Sequence, residues 1–344
     1  MTNQEKRDIN NVYVLAGLFT LSLRLVVGWT YFSAFWRRII LENKLIPDVP
    51  GYIGEKFNHF LPNALGIKSM IEYLVTNPDT LWWAMVIFTI IEGIVGLLFM
   101  LGFFTRLMSI GVLSLATGIL LGSGWLGTTC VDEWQIGILG VAAGFTLFMS
   151  GGGIYSLDYL LLPKIPVLKK QKWLVWLTSG ALPVNIYTFS KITGIGAIAI
   201  LLLSLGTNQV FHNGVWGKLH NKSVKPKIEI SEAKINDKGL SFTVYRVEGA
   251  DVYGSFLIGI TVKDANGNVL FNKNGEELAR FPKSNIQNEY IAKVTPGKHS
   301  LVIPLGSKAQ LNMENPSIQN LPKGRYKLIL TDISGITWEK EINK

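Results

Sequence analysis

Apolar runs long enough to cross a membrane recur through the first two thirds of the chain. A helix needs about 20 apolar residues to span a bilayer, whereas a secretory signal has a shorter apolar core followed by a small-residue cleavage site. The first run is long and lacks such a site, so we predict an uncleaved span. The five predicted spans cover residues 14–36, 80–102, 107–122, 135–149 and 192–205.

Two stretches between these runs are mixed in composition. Residues 173–189 are apolar enough to be interfacial, re-entrant or spanning, and the sequence leaves all three open. Residues 37–79 are broken by prolines and predict a long external loop. Its apolar side chains could lie along a membrane surface. They are Phe57, Phe60, Leu61 and Leu65.

Basic residues beside the apolar runs predict the orientation, because cytoplasmic loops are rich in Lys and Arg. With five spans, Lys6, Arg7, Arg106 and the basic residues of 164–191 fall on one side. We therefore expect a multi-pass protein of the cytoplasmic (inner) membrane with its N-terminus in the cytoplasm. The first external loop is also basic, so the asymmetry is moderate. Basic residues that fix the topology or contact anionic lipid account for the net charge of +9. We therefore expect no nucleic-acid partner.

The composition changes from about residue 224 onward. Short segments rich in β-branched and aromatic residues alternate with turn signals, which predicts an all-β immunoglobulin-like sandwich. Residues 265–268 and 334–335 are expected to form hairpin turns. The predicted fold is a membrane all-α helical bundle followed by this sandwich. Its parts are a four-span domain at 1–160, a cytoplasmic connection with the fifth span and linker at 161–223, and an extracytoplasmic sandwich at 224–344.

The cysteine and histidine counts restrict the cofactors. One cysteine cannot form an internal disulfide, ligate an iron–sulfur cluster or build a tetrathiolate zinc site. The histidines lie outside the predicted span interiors, which excludes a transmembrane bis-histidine haem. They are His59, His212, His220 and His299. We predict no metal, and if electrons move, their acceptor is diffusible.

The stretch GSGWLGTTCVDEWQ at residues 122–135 concentrates reactive groups between two apolar runs. Cys130, Asp132 and Glu133 are the candidate catalytic residues. A lone cysteine is more often an inert small hydrophobe. Here Arg37 and Arg38, at the outer end of span one, would favour the Cys130 thiolate, whereas the two adjacent carboxylates would oppose it.

Arginine and tryptophan side chains supply the candidates for substrate binding. Arg37 and Arg38 could hold an oxyanion through their forked donors, or could simply be interfacial residues that extend toward the headgroups. Trp125 and Gln135 complete this group, although tryptophans near span ends more often form an interfacial belt.

Arg24 and Glu92 are charged residues inside predicted spans. An isolated arginine there costs about 2.5–3.5 kcal/mol on insertion scales, so the two should pair or face a wet cavity. The pair could be structural, or Glu92 could move protons beside a quinone headgroup. The candidates for the quinone and proton relay are Arg24, Glu92, Trp82, Trp134 and Arg106.

Longer motifs resemble a known family. The stretches LRLVVGWTYFSAFWRR, GFFTRL, WLGTTCVDEWQ and GGGIYSLDYLL resemble DoxD, the membrane subunit of thiosulfate:quinone oxidoreductase, and more loosely the DoxX-like four-helix membrane proteins. The stretches YRVEGADVYGSFLIGITVKDANGNVLF and LPKGRYKLILTD resemble the small partner subunit DoxA. GFFTR and GGGIYSLD are widely shared, and CVDEW together with the fused second half is more specific.

The resemblance implies oxidation of two thiosulfates to tetrathionate outside the membrane, with the electron pair passed to a quinone of menaquinone or ubiquinone type. Cys130, Asp132, Glu133 and Trp134 match the family's external motif, and Arg24 and Arg106 match its membrane-core positions. Two alternatives stay open, a non-catalytic membrane subunit or scaffold of another oxidoreductase and a carrier for a sulfur oxyanion. The sequence also leaves open a homo-oligomer and a different sulfur substrate.

Overall fold

The computed structural model describes residues 12–47, 49, 51–127, 132–164, 174–250 and 255–344. These residues form two compact units. The first is helical and includes Trp82–Gly124 and Asp132–Leu219, whereas the second includes Gly54–Leu81, residues 125–127 and His220–Lys344. A helical part with apolar candidate spans therefore precedes an all-β domain, which confirms the predicted fold class.

Helices form most of the first unit and also occur in the second. They are α1 (Val12–Phe19), α2 (Leu21–Phe35), α3 (Glu55–Phe60), α4 (Lys68–Thr76), α5 (Pro78–Leu101), α6 (Thr105–Ser123), α7 (Asp132–Ser150), α8 (Leu157–Leu161), α9 (Leu174–Leu177), α10 (Ile186–His212), α11 (Gly275–Ala279) and α12 (Pro316–Gln319). A π-helix at Trp36–Leu41 continues α2, and short 3₁₀ turns lie at Leu61–Asn63, Leu162–Lys164 and Lys283–Asn285.

Three helices in the described part of the chain are long and apolar enough to cross a membrane, namely α5, α6 and α10. A fourth candidate arises if α1 and the helix Leu21–Leu41, which meet at an angle of 53°, form one bent span. The helix α7 covers the predicted fourth span but is not among these candidates, because polar residues such as Glu133 and Gln135 occupy its first turn. Within residues 174–185 the helix α9 has four residues, so this stretch does not span the membrane by itself.

Glycines let the first two spans approach closely. A Cβ atom on Gly96 of α5 would lie 2.3 Å from the backbone nitrogen of Phe32 in α2. One on Gly28 of α2 would lie 2.6 Å from the Cβ atom of Met100 in α5. Since hydrocarbon gives no hydrophobic drive for helix association, such small-residue contacts supply the packing between membrane helices.

The helix α10 joins the bundle near its C-terminal end. The indole Nε1 of Trp134 in α7 donates to Thr207 Oγ1 at 2.9 Å. The ring nitrogen Nε2 of His212 lies 2.9 Å from the carbonyl oxygen of Gly124. Most of the other apolar side chains of α10 are exposed, as expected for a helix that faces lipid.

The strands of the second unit form two antiparallel sheets around one core. They are β1 (Lys227–Asn236), β2 (Gly239–Glu248), β3 (Ser255–Lys263), β4 (Val269–Asn274), β5 (Ile286–Asn288), β6 (Thr295–Pro296), β7 (Leu301–Ile303), β8 (Lys308–Met313), β9 (Arg325–Asp332) and β10 (Thr337–Asn343). The strand orders are β1-β2-β8-β5 and β10-β9-β3-β7-β6, with β4 also paired to β3.

Alternating apolar residues from both sheets fill the space between them. Phe242 of β2 pairs with Leu311 of β8, and Val262 of β3 pairs with Leu328 of β9. All four side chains are fully buried. The hairpin turns predicted at residues 265–268 and 334–335 connect β3 to β4 and β9 to β10, which confirms both.

The external loop between the first two spans packs against the sandwich as part of the same unit. Leu61, Ile71 and Val75 form an apolar cluster with Tyr290. The suggested membrane-surface position is wrong for Leu61, which is fully buried in this cluster, whereas Phe57 and Phe60 are half-buried and pack against it. Burial against another part of the chain explains their apolar character equally well, and sequence alone cannot distinguish the two.

A buried asparagine fixes this packing. The side-chain oxygen of Asn58 in α3 accepts the backbone N–H of Ala292 at 3.1 Å, and its Nδ2 donates to the carbonyl oxygen of Gly306 at 3.2 Å. Gly306 has φ +74°, and a Cβ atom there would lie 1.7 Å from the carbonyl oxygen of Asn58. Farther along, Tyr290 donates its hydroxyl to Glu72 of α4 at 2.9 Å.

Candidate functional site

An ion pair inside the helical bundle is the centre of the candidate site. Arg38, on the π-helical turn, donates to the carboxylate of Glu92 near the middle of α5. The Glu92 side chain is 5% exposed and the Arg38 side chain 21%. Arg37, the next residue, is exposed and lies within electrostatic range of Glu92. Pairing removes most of the penalty for a carboxylate in a membrane helix, and π-helical turns are frequent at functional sites.

Two hydroxyl groups lie beside this pair. Thr89 is one turn before Glu92 on the same face of α5, is 1% exposed, and has no hydrogen-bond partner for its Oγ1 in the described part of the chain. Tyr31 of α2 is 4% exposed and lies within electrostatic range of Glu92. Its hydroxyl oxygen would be 2.9 Å from a Cβ atom on Gly140 of α7. Neither residue is among the predicted site residues, because a Thr and a Tyr are unremarkable in an apolar run.

Arg24 does not pair with Glu92. It lies beside Gly102, which follows the last residue of α5. This end of α5 is about 15 Å from Glu92 along the helix axis. Its guanidinium donates to the carbonyl oxygen of Gly152 at 2.5 Å and to that of Tyr155. The predicted pairing is therefore wrong, because counting residues from approximate span ends placed the two at the same depth.

Arg106 is also held by backbone carbonyl groups. It lies in the first turn of α6 and is fully buried, so this helix begins slightly before the predicted span 107–122. It donates to the carbonyl oxygens of Phe148 at 2.9 Å, Thr178 at 2.7 Å and Gly180. Arg24 and Arg106 thus hold the segments that follow α7, an arrangement that supports a structural role.

A carboxylate that the site prediction did not include completes this end of the bundle. Asp158 is fully buried and accepts the backbone N–H groups of Phe104 and Thr105 at 2.8 and 2.9 Å, at the N-terminus of α6. It also accepts the backbone N–H of Ser179 at 2.9 Å. The motif GGGIYSLD contains this residue, and an acidic residue directly after a span could have been recognised as a helix cap.

The remaining predicted residues are not brought together at one site. Cys130 lies outside the described residues, and so does the side chain of Asp132. Trp125 is fully buried in the second unit, with its Nε1 3.4 Å from the carbonyl oxygen of Phe60. Trp82 donates to the carbonyl oxygen of Leu45 at 2.9 Å. Trp134 bonds Thr207 as described above, Gln135 is exposed and Glu133 is half-buried. Across the described residues, no three His, Cys, Asp or Glu side chains cluster in a way that could hold a metal.

Two protein families match the chain. Residues 19–185 match the family described as TQO small subunit DoxD, where TQO denotes thiosulfate:quinone oxidoreductase. Residues 211–341 match the family described as TQO small subunit DoxA. Residues 19–185 thus belong to the DoxD family and residues 211–341 to the DoxA family. The order of the two domains is the predicted one.

The DoxD match contains Tyr31, Arg38, Thr89 and Glu92. It also contains the loop 54–81, which nevertheless packs in one unit with the DoxA strands. Among solved structures, the chain matches a Pseudomonas fluorescens alkylpurine DNA glycosylase bound to DNA with an abasic site analog. The match covers 96% of this chain and 99% of that one at 10% identity, with a TM-score of 0.19 that is too low to indicate a shared fold.

Proposed function

We propose that this chain oxidises thiosulfate to tetrathionate outside the cytoplasmic membrane and passes the electrons to a membrane quinone. The overall reaction joins two thiosulfates, releases two electrons, and converts one quinone and two protons to quinol. The observation that carries the proposal is the presence of both TQO subunit families, in order, on one chain. The buried Arg38–Glu92 pair supports it, because a carboxylate in the membrane interior can take up a proton and pass it to a reduced quinone.

The packing of the external loop supports an extracytoplasmic sandwich. The loop 54–81 and the strands belong to one unit, which favours a position of both on the same side of the membrane. In the described part of the chain, four helices of 19 residues or more lie between them, namely α5, α6, α7 and α10. For both to lie on the same side, the chain must cross the membrane an even number of times between them. This favours α7 as a transmembrane helix. The basic residues of 164–191 then lie on the opposite side, where the positive-inside rule places the cytoplasm.

For the sulfur chemistry we propose Cys130, the only cysteine, as the nucleophile. Its thiolate and one thiosulfate form an S-thiosulfonate adduct as two electrons leave for the quinone. The terminal sulfur of a second thiosulfate then attacks the adduct sulfur that is bonded to Cys130 Sγ. The new S–S bond completes tetrathionate, and the Sγ–S bond breaks, which regenerates the thiolate. Arg37 remains the candidate that binds thiosulfate, because Arg38 is engaged by Glu92. Asp132 or Glu133 would take the proton of the thiol.

The deciding assay uses the purified full chain in lipid vesicles with decylubiquinone or menadione as acceptor. We expect thiosulfate-dependent quinone reduction, with one tetrathionate formed per quinol. Cys130→Ser should abolish turnover, and unchanged turnover in this variant would exclude the cysteine scheme while leaving the overall reaction in place.

Two other outcomes would identify the alternatives. A folded protein that assembles but reduces no quinone would indicate a non-catalytic subunit. Uptake of radiolabelled thiosulfate into sealed vesicles without any quinone would indicate a carrier for the anion.

A further inference from the structure

We infer that Tyr31 and Thr89, together with Glu92, form the binding site for the quinone headgroup, an aromatic ring with two carbonyl oxygens. The inference rests on the proposed function, because it names the residues that would receive the acceptor. It assigns a binding role to two hydroxyl groups that the packing of the bundle leaves unused.

The buried Thr89 hydroxyl lacks a hydrogen-bond partner among the described residues. A buried polar group without a partner costs about 1–3 kcal/mol, and threonines in helices usually avoid this by bonding the carbonyl one turn back. Thr117 and Thr146 do so, with oxygen–oxygen distances of 2.8 Å to Leu113 and Ala142. Thr89, which is more buried, does not. Its hydroxyl is therefore free to donate to a ligand.

A second helix, α2, supplies a further hydroxyl group in this part of the bundle. Tyr31 of α2 lies in an apolar cluster that includes Val95 and Phe99 of α5, and its hydroxyl oxygen would be 2.9 Å from a Cβ atom on Gly140 of α7. Within the described residues no hydrogen bond reaches its hydroxyl, and Arg38 bonds only Oε2 of Glu92. Hydroxyl donors and a carboxylate inside an apolar wall are the groups that a quinone needs, since its carbonyl oxygens accept hydrogen bonds and its ring is apolar.

The exposure of Arg38 and Glu92 indicates the direction from which a quinone would approach. Arg38 is more exposed than Glu92, 21% against 5%, so the cluster has an outer and an inner end. The outer end lies on the π-helical turn, beside the exposed apolar side chains of Trp36 and Leu41. A lipid-dissolved molecule reaches such a surface directly.

Ligand-induced stabilisation of the full chain in detergent tests this inference without any need for turnover. Decylubiquinone should raise the melting temperature of the wild type. Tyr31→Phe and Thr89→Val should each weaken quinone binding by about five- to tenfold, the loss expected for one hydrogen bond. Both variants should keep or raise the melting temperature without quinone, since each removes an unpartnered polar group.

Thr117→Val is the matched control, because its hydroxyl already bonds within its own helix. It should leave the quinone-induced shift unchanged. In a second measurement, an azidoquinone should label peptides of α2 and α5 in the wild type and much less in Tyr31→Phe.

The outcomes separate this inference from the proposed function. Quinone binding that depends on Tyr31, in a protein that does not oxidise thiosulfate, supports the inference and defeats the proposed function. Thiosulfate oxidation with unchanged quinone affinity in both variants defeats the inference alone. Labelling confined to other helices, or no labelling of the wild type, also overturns it.

Discussion

Arg38 reaches Glu92 from a π-helical turn at the end of the first candidate span. A regular α-helix would shift the side chains that follow Phe35 around its axis, whereas the wider turn directs the guanidinium toward α5. Few side chains can neutralise a carboxylate at this position, because its surroundings are apolar helix faces. The local backbone and the charge of Glu92 are therefore coupled.

Removing one partner of this pair should destabilise the bundle. In Arg38→Met the Glu92 carboxylate loses its counter-charge, and we expect a loss on the order of 2 kcal/mol, reduced from that of a fully buried pair because Arg38 is partly exposed. Arg38→Met with Glu92→Leu should recover most of it. Thermal unfolding in detergent, followed by circular dichroism, measures both. Lys44→Met, in the exposed pair with Glu42, is the control and should change stability little.

The crossing of α2 and α5 provides a second prediction. A Cβ atom on Gly96 would lie 2.3 Å from the nitrogen of Phe32, so Gly96→Ala must push the two helices apart. We expect a lower melting temperature in detergent and a loss of about 2 kcal/mol or more. Gly118→Ala in α6 is the matched control, because nothing lies within 4 Å of its added methyl group. Alanine's better helix propensity should make that variant neutral or slightly more stable. Equal effects of the two substitutions would contradict the close crossing.

A third prediction concerns the packing of the external loop on the sandwich. Asn58→Ala removes the acceptor of the Ala292 N–H and the donor to Gly306, both buried. The two backbone groups lose their partners, and we expect a loss of about 2–3 kcal/mol. Limited proteolysis within residues 54–81 should become faster. Asn272→Ala, whose side chain bonds Thr261 on the exposed surface, should leave cleavage unchanged. Protection that survives in Asn58→Ala would show that the apolar cluster alone holds the loop.

Local patterns in the sequence predicted much of this fold. Apolar length identified α5, α6 and α10, although α10 extends beyond the predicted 192–205 to Ile186–His212. Alternation of β-branched residues identified the sandwich, and Asn and Gly marked two of its turns. Each of these signals lies within one element, where residue spacing and secondary structure correspond directly.

Contacts between distant segments could not be predicted in the same way. The partner of Glu92 depends on the π-helical turn, and the partners of Arg24 are backbone carbonyl groups, which every residue carries. Packing of Phe57 and Phe60 on the sandwich depends on side chains more than 200 positions away along the chain, such as Tyr290. A single sequence records the apolar character of these residues but not the surface that covers it.

Acid should weaken the β3–β4 hairpin through Asp264. A hydrogen bond from the Asn268 side chain, with further bonds from the backbone of residues 266–268, lowers the pKa of the Asp264 carboxyl below its usual value of about 3.9. Because the folded pKa is the lower one, the ionised carboxylate stabilises the fold at pH values above the unfolded pKa. This contribution is lost as the pH falls through the folded pKa.

Asp264→Asn should therefore unfold at a lower temperature than the wild type at pH 7, and the difference should shrink as the pH approaches 3. Asn268→Ala removes the main cause of the lowered pKa. Its melting temperature should also approach that of the wild type as the pH approaches 3. If the difference in melting temperature stays constant from pH 7 to 3, the charge of Asp264 does not stabilise the turn.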